Sequence, residues 1–193
     1  MQDEQTKPAE REEYLQIIQK RARVLQGFIQ DFYELSRIEG ENYPLLFDLI
    51  QVQNTLSEVV VAYYHEFEKM HITVEVILEE KQCSIIVDKI QFNRILNNLV
   101  QNALKYSKSH FVLKQYILDG ECIIQFQNDK DLGTQDDLKN IFDRFYTGDL
   151  SRNNQSTGLG LTISKILTEK MKGSIEAILD EKLFVIELRW KSK

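Results

Sequence analysis

Residues 97–108 read NNLVQNALKYSK. Asn98, Asn102 and Lys105 stand at spacings of four and three. At about 100° per residue they fall on one helical face, while Ile95, Leu99 and Ala103 form an adjacent face that can bury. A neutral amide oxygen is a hard ligand of the kind Mg²⁺ accepts, with its remaining oxygens drawn from water and phosphates. A lysine on the same face can meet those phosphates as a point charge. The stretch therefore reads either as a solvated polar face or as a nucleotide-phosphate site built without a Walker lysine loop.

A second stretch bears on this choice. Residues 156–165, STGLGLTISK, place Gly158 and Gly160 at a helix start, with Ser156 or Thr157 available as the cap. Glycines there let backbone N–H groups approach an anion, and the helix dipole favours negative charge. Capping alone accounts for a lone GxG. Its combination with NLVQNALKYS is the stronger signal.

Around these two helices the chain has 193 residues, 42% hydrophobic and 28% charged, with a formal net charge of −6. That is enough for a core of one or two domains, and the acidic balance argues against nucleic acid as a partner. Cys83 and Cys122 lie in strand-like runs and read as buried free thiols, as in a reducing cytoplasm.

Residues 1–9 are polar and read as frayed. A helical pattern then covers 10–38, with Leu15, Ile18, Leu25, Phe28, Phe32 and Leu35 in one stripe that wants partner helices. The domain boundary falls near Glu39 to Tyr43, dividing 1–40 from 41–193. Beyond it, YPLLFDLI reads as a short strand, 51–70 as a helix, and ITVEVILEE and CSIIVD as strands. Residues 88–107 form the asparagine-bearing helix. HFVLKQYIL and ECIIQFQN read as a hairpin turning at Asp119-Gly120. A short helix follows over 135–143, then the polar stretch 147–157, the glycine-led helix and two closing strands. The pattern predicts an α+β fold, a two-layer α/β sandwich with helices on one face of a mixed, mostly antiparallel sheet.

In their order, these segments resemble the catalytic portion of bacterial two-component sensor histidine kinases. Residues 98–107 resemble the N box, and 141–175 resemble the F box, ATP lid and second glycine box. Residues 23–41 resemble the second helix of the dimerisation domain and its linker. The resemblance implies the Bergerat-type ATP-binding fold, with ATP and Mg²⁺ as cofactors. It further implies a response regulator and a second copy of the chain as partners, and a cytoplasmic position in a membrane-anchored sensor. It makes Asn102 the metal-binding asparagine, Asn98 and Lys105 phosphate-side residues, and Tyr106 an aromatic beside the nucleotide. Phe142 and Phe145 become the F box anchoring the lid, and Arg152 a lid arginine that reaches phosphate or stays in solvent. Thr157, Gly158, Leu159, Gly160 and Leu161 become the glycine box.

One position separates subfamilies, and two features depart from the family's pattern. Hydrolysing relatives carry a glutamate where Asn98 stands, and an amide cannot act as a general base. The first glycine box reads FQNDKDLGTQDDLKNIF, with Asn128 at the adenine-binding aspartate and Gly133 displaced by one; Asp129 is the alternative adenine ligand. No phosphoacceptor motif is present, since His65, His71 and His110 all fall downstream of the dimerisation helix. The chain is thus expected to be a piece of a longer sensor that binds ATP without phosphorylating itself. Alone, it is expected to form a weak dimer, or a monomer whose long helix folds back or is poorly ordered. A nucleotide-free interaction module is the rival expectation.

Overall fold

The computed structural model describes residues 8–40, 42–129, 135–146, 157–180 and 183–193. Gly133 and Arg152 lie outside them. The chain opens with α1 (Pro8–Glu39), one unbroken helix that does not fold back on itself. Next come β1 (Phe47–Gln51), α2 (Val52–Lys69), β2 (Thr73–Leu78), β3 (Ser84–Asp88) and α3 (Lys89–Tyr106). Then follow β4 (His110–Leu118), β5 (Glu121–Asn128), α4 (Gln135–Asn140), α5 (Gly160–Lys170), β6 (Ser174–Asp180) and β7 (Leu183–Lys191).

Five strands make the main sheet, in the order β2-β4-β5-β7-β6. Only β2 and β4 run parallel; the other neighbours are antiparallel. The expected hairpin joins β4 to β5, and its corner residues Asp119 and Gly120 both take positive φ, 52° and 80°. That is the backbone of the tight turns whose twist matches paired strands. β1 and β3 stand apart as a separate antiparallel pair with Leu49 opposite Ile86.

Alternation along the strands turns Phe111, Leu113, Ile124, Phe126, Phe184, Ile186 and Leu188 toward the helices, where all are buried. Phe92, Ile95, Leu99 and Val100 of α3, with Ile163 and Leu167 of α5, meet them. Phe92 packs edge-on against Trp190 at 5.4 Å. Cys83, just ahead of β3, and Cys122 are buried free thiols. Burial pushes the Cys122 thiol up, and the neighbouring Cys83 adds to that.

The apolar stripe of α1 divides. Leu35 and, one turn on, Ile38 are buried against the sandwich, whereas Leu15, Ile18, Leu25 and Phe32 remain exposed. Among the described residues, only the last turns of this stripe are buried.

Candidate functional site

α3 starts where it does because Asp88 caps it. Its side chain accepts from the N–H groups of Ile90 (2.9 Å) and Gln91 (3.0 Å), and its other oxygen accepts from Leu46 N–H at 2.8 Å. With that start fixed, the buried stripe of α3 sets the rotation of the polar one. Asn98, Asn102, Lys105 and Tyr106 come out half-buried along one wall of a cleft of about 1040 Å³. Lys105 Nζ sits 5.0 Å from the centre of the Tyr106 ring.

The floor continues into the glycine turn. Thr157, Gly158, Gly160 and Leu161 line the same cleft. Gly158 has φ 68°, and a Cβ there would lie 2.8 Å from the Phe145 backbone. No side chain fits, so the backbone at Phe145 and Tyr146 touches the backbone at this glycine. Asn98 fastens the turn to α3. Its Nδ2 donates to Gly160 O at 3.2 Å and Ser164 Oγ at 3.4 Å, while Ser164 Oγ donates to Gly160 O at 2.9 Å. Asn98 thus holds the two helices together as well as facing the cleft.

Other residues take different places from those expected. Leu159 is fully buried in the core, where it precedes the first turn of α5. Phe145 does not line the cleft: it is 49% exposed and stacks on Phe28 of α1 at 5.9 Å. Asp129 is engaged by the loop after α3. Its carboxylate accepts from the N–H groups of Lys108, Ser109 and His110 at 3.0–3.1 Å and from the Ser109 hydroxyl at 2.6 Å. Burial alone would push this carboxyl up; the Ser109 hydroxyl and those N–H groups outweigh it and hold it at about 2.

The loop that Asp129 ties down follows α3 directly, so it brings the end of β5 beside the end of α3. There Asn128 is 4% exposed, and its Nδ2 has no hydrogen-bond partner. Asn128 is not among the residues that line the cleft, but a buried, unpartnered amide donor suits a purine ring nitrogen. Among the described residues no group of three His, Cys, Asp or Glu converges on a metal position. A divalent ion here would rely on the Asn102 amide oxygen and on oxygens the nucleotide brings, as Mg²⁺ sites often do.

The far wall is α1, which the motifs did not point to. Gln16, Lys20, Arg23 and Asp31 line the cleft opposite α3. Asp31 Oδ2 accepts from Thr157 Oγ1 at 2.8 Å, and Glu34 and Glu39 pair with Arg94 and Arg144. Gln16, Lys20, Arg23, Asp31 and Glu34 recur at helical spacing as a second, polar stripe. That was the available signal, overshadowed by the apolar one.

Comparison with known proteins agrees with this geometry. The family model for histidine kinase-, DNA gyrase B-, and HSP90-like ATPases matches residues 87–191. Sensor protein GtcS of Aneurinibacillus migulanus is 26% identical over 160 residues, 82% of this chain and 43% of that protein. Sensor histidine kinase YcbM of Bacillus subtilis is 27% identical over 171 residues, 86% of this chain and 55% of that one. This chain therefore spans about half the length of these relatives. Among solved structures, full-length ShkA in complex with AMPPNP superposes with a TM-score of 0.82 at 19% identity, over 98% of this chain and 40% of that one. Histidine kinase ThkA in complex with the response regulator TrrA gives 0.78 at 19%, over 100% and 53%. At such identities the structures speak for the fold. The matched segment runs from the end of β3 to the end of β7 and holds both α3 and the glycine turn, so the chain belongs to the histidine kinase-, DNA gyrase B- and HSP90-like ATPase family.

Proposed function

We propose that this chain is the ATP-binding, catalytic portion of a two-component sensor histidine kinase. It passes the γ-phosphoryl group of ATP to a histidine on another helix, and from there the group reaches a response-regulator aspartate. The observation that carries this is the convergence of Asn102 and Lys105 on the Gly158–Gly160 turn in one cleft.

Each residue has a role in that chemistry. The backbone of the glycine turn and the start of α5 receive the phosphate chain. Lys105 offsets its charge, and Asn128 donates to the adenine. Asn102 offers the oxygen for Mg²⁺, which when bound neutralises phosphate charge and orients the phosphoryl group. Asn98 cannot take a proton from water, and its amide nitrogen is already committed to Gly160 and Ser164. That favours transfer to an imidazole, which is nucleophilic without a base, with positioning and charge neutralisation supplying the catalysis. None of the three histidines lines the cleft. His65 lies beside Glu68 on the surface and His110 beside Glu75. The acceptor is therefore brought from outside these residues.

The exposed face of α1, with Leu25, Ile29 and Phe32, supports pairing with dimerisation helices of a second copy. Membrane anchoring of the parent protein is carried over from the resemblance to sensor histidine kinases and from nothing in this chain. Among the described residues no helix is long and apolar enough to cross a membrane.

Thermal unfolding tests the site. A Mg²⁺-loaded, non-hydrolysable ATP analogue should raise the midpoint and the GTP analogue should not; no rise with either contradicts the reading. With γ-labelled ATP and a separate histidine-bearing two-helix domain, label should appear as acid-labile, base-stable phosphohistidine on that domain.

A further inference from the structure

The cleft has two walls, and only one belongs to the ATPase fold. Facing α3 and the glycine turn, α1 presents Gln16, Lys20, Arg23 and Asp31. Their spacings of four, three and eight keep them within an arc of about 80° on the helix. The same arc continues into buried Ile38 and into Glu34, which pairs with Arg94. The wall is thus seated by packing and by an ion pair.

Its polarity is inverted relative to an ordinary surface helix, whose apolar side faces the protein. Along the first five turns, Leu15, Ile18 and Leu25 point to solvent, while the side turned to the cleft carries Lys20 and Arg23 beside the half-buried Val24. Those two and Lys105 are the cations among the lining residues. Asp31 is the lining carboxylate, and it is engaged by Thr157. A cationic side facing a cleft with a glycine turn on its floor suits a phosphate chain, which a guanidinium can hold through two parallel N–H donors.

We propose that α1 is the second wall of the nucleotide site, with Lys20 and Arg23 binding the phosphate chain of the nucleotide from across the cleft. This rests on the nucleotide-site reading above. It makes nucleotide binding and the docking of α1 mutually reinforcing, because a ligand touching both walls favours the docked arrangement.

The test is a calorimetric titration of the whole chain with Mg·AMPPNP at two salt concentrations. Four proteins are compared: the unaltered chain, K20Q/R23Q, R21Q and N102A. R21Q removes one cation of α1 that does not line the cleft. The proposal expects K20Q/R23Q to bind about tenfold more weakly, with a shallower dependence on salt, and R21Q to bind as the unaltered chain does. If K20Q/R23Q binds as tightly as the unaltered chain while N102A loses binding, α1 is a bystander and the nucleotide site stands. Equal weakening by R21Q would reduce the effect to net charge and overturn the proposal. If the unaltered chain shows no binding, both readings fall. Retained helicity by circular dichroism guards against loss of α1 itself.

Discussion

Thr157 and Asp31 are 126 residues apart in sequence and meet at 2.8 Å, hydroxyl donating to carboxylate. The same hydroxyl accepts the Leu159 N–H at 3.3 Å, so one side chain shapes the glycine turn and moors it to α1. Thr157→Val keeps the shape and removes both bonds. A hydrogen bond to a charged group contributes about 1.5–3 kcal/mol at most, less where water competes. The expected loss in urea unfolding is about 1 kcal/mol, with faster amide exchange over residues 27–39. Unchanged exchange in α1 would show that Phe28 and the two ion pairs suffice to hold it.

Asn98 joins α3 to α5 through Gly160 and Ser164. Asn98→Ala should cost about 1–2 kcal/mol of stability and weaken nucleotide binding by letting the glycine turn drift. Asn98→Glu restores the residue type of hydrolysing relatives but sets a carboxylate against the Gly160 carbonyl. It should therefore destabilise at least as much as alanine does. A well-folded Asn98→Glu protein with brisk ATP hydrolysis would contradict the assignment of Asn98 as a joint.

Gly158 leaves no room. A methyl group would fall 2.8–2.9 Å from backbone atoms of Phe145 and Tyr146, at a φ of 68° that side chains rarely adopt. Gly158→Ala should cost about 1–3 kcal/mol and lower nucleotide affinity sharply. Gly27 also lines the cleft, with open space around it, so Gly27→Ala should be tolerated or slightly stabilising. Thermal unfolding of the pair compares them directly.

Asp129 predicts a pH dependence. Its carboxyl is held at about 2 in the folded chain against an ordinary 3.8. A depressed acid stabilises fully above its unfolded value and loses that contribution as pH falls through the folded one. The stabilisation is therefore complete above about pH 4 and fades toward pH 2. Allowing for solvent at this partly exposed group, it amounts to about 1 kcal/mol. Asp129→Asn should be less stable than the unaltered chain at pH 6 and indistinguishable near pH 2. A constant gap across that range would contradict the carboxylate's role in the loop.

What could be read from sequence was what local chemistry fixes. The helical spacing of apolar and polar residues over 88–107 announces α3, and Asp119-Gly120 between alternating strands announces the hairpin. The partners of the other strands were not readable. Nothing in ITVEVILEE says that β2 will lie parallel to β4, or that CSIIVD will leave the main sheet to pair with β1. Such choices rest on contacts distant in sequence. Periodicity showed that α1 has an apolar stripe, but it could not tell which face would meet this domain. Phe28 and Leu35 turn toward the sandwich while Leu15 and Leu25 turn away. Asp129 was equally opaque, because its three backbone donors exist only once the loop after α3 has closed around it.

The most direct measurement is a calorimetric titration with a non-hydrolysable ATP analogue, with and without Mg²⁺, of the unaltered chain beside Asn102→Ala. Asn102 is half-buried in the cleft, and its substitution should leave the fold intact. The predicted result is Mg²⁺-dependent binding that Asn102→Ala weakens by tenfold or more, on the order of 1.4 kcal/mol. Binding that ignores both Mg²⁺ and Asn102, or none near millimolar nucleotide in a folded chain, would contradict the nucleotide site at the junction of α3 and α5.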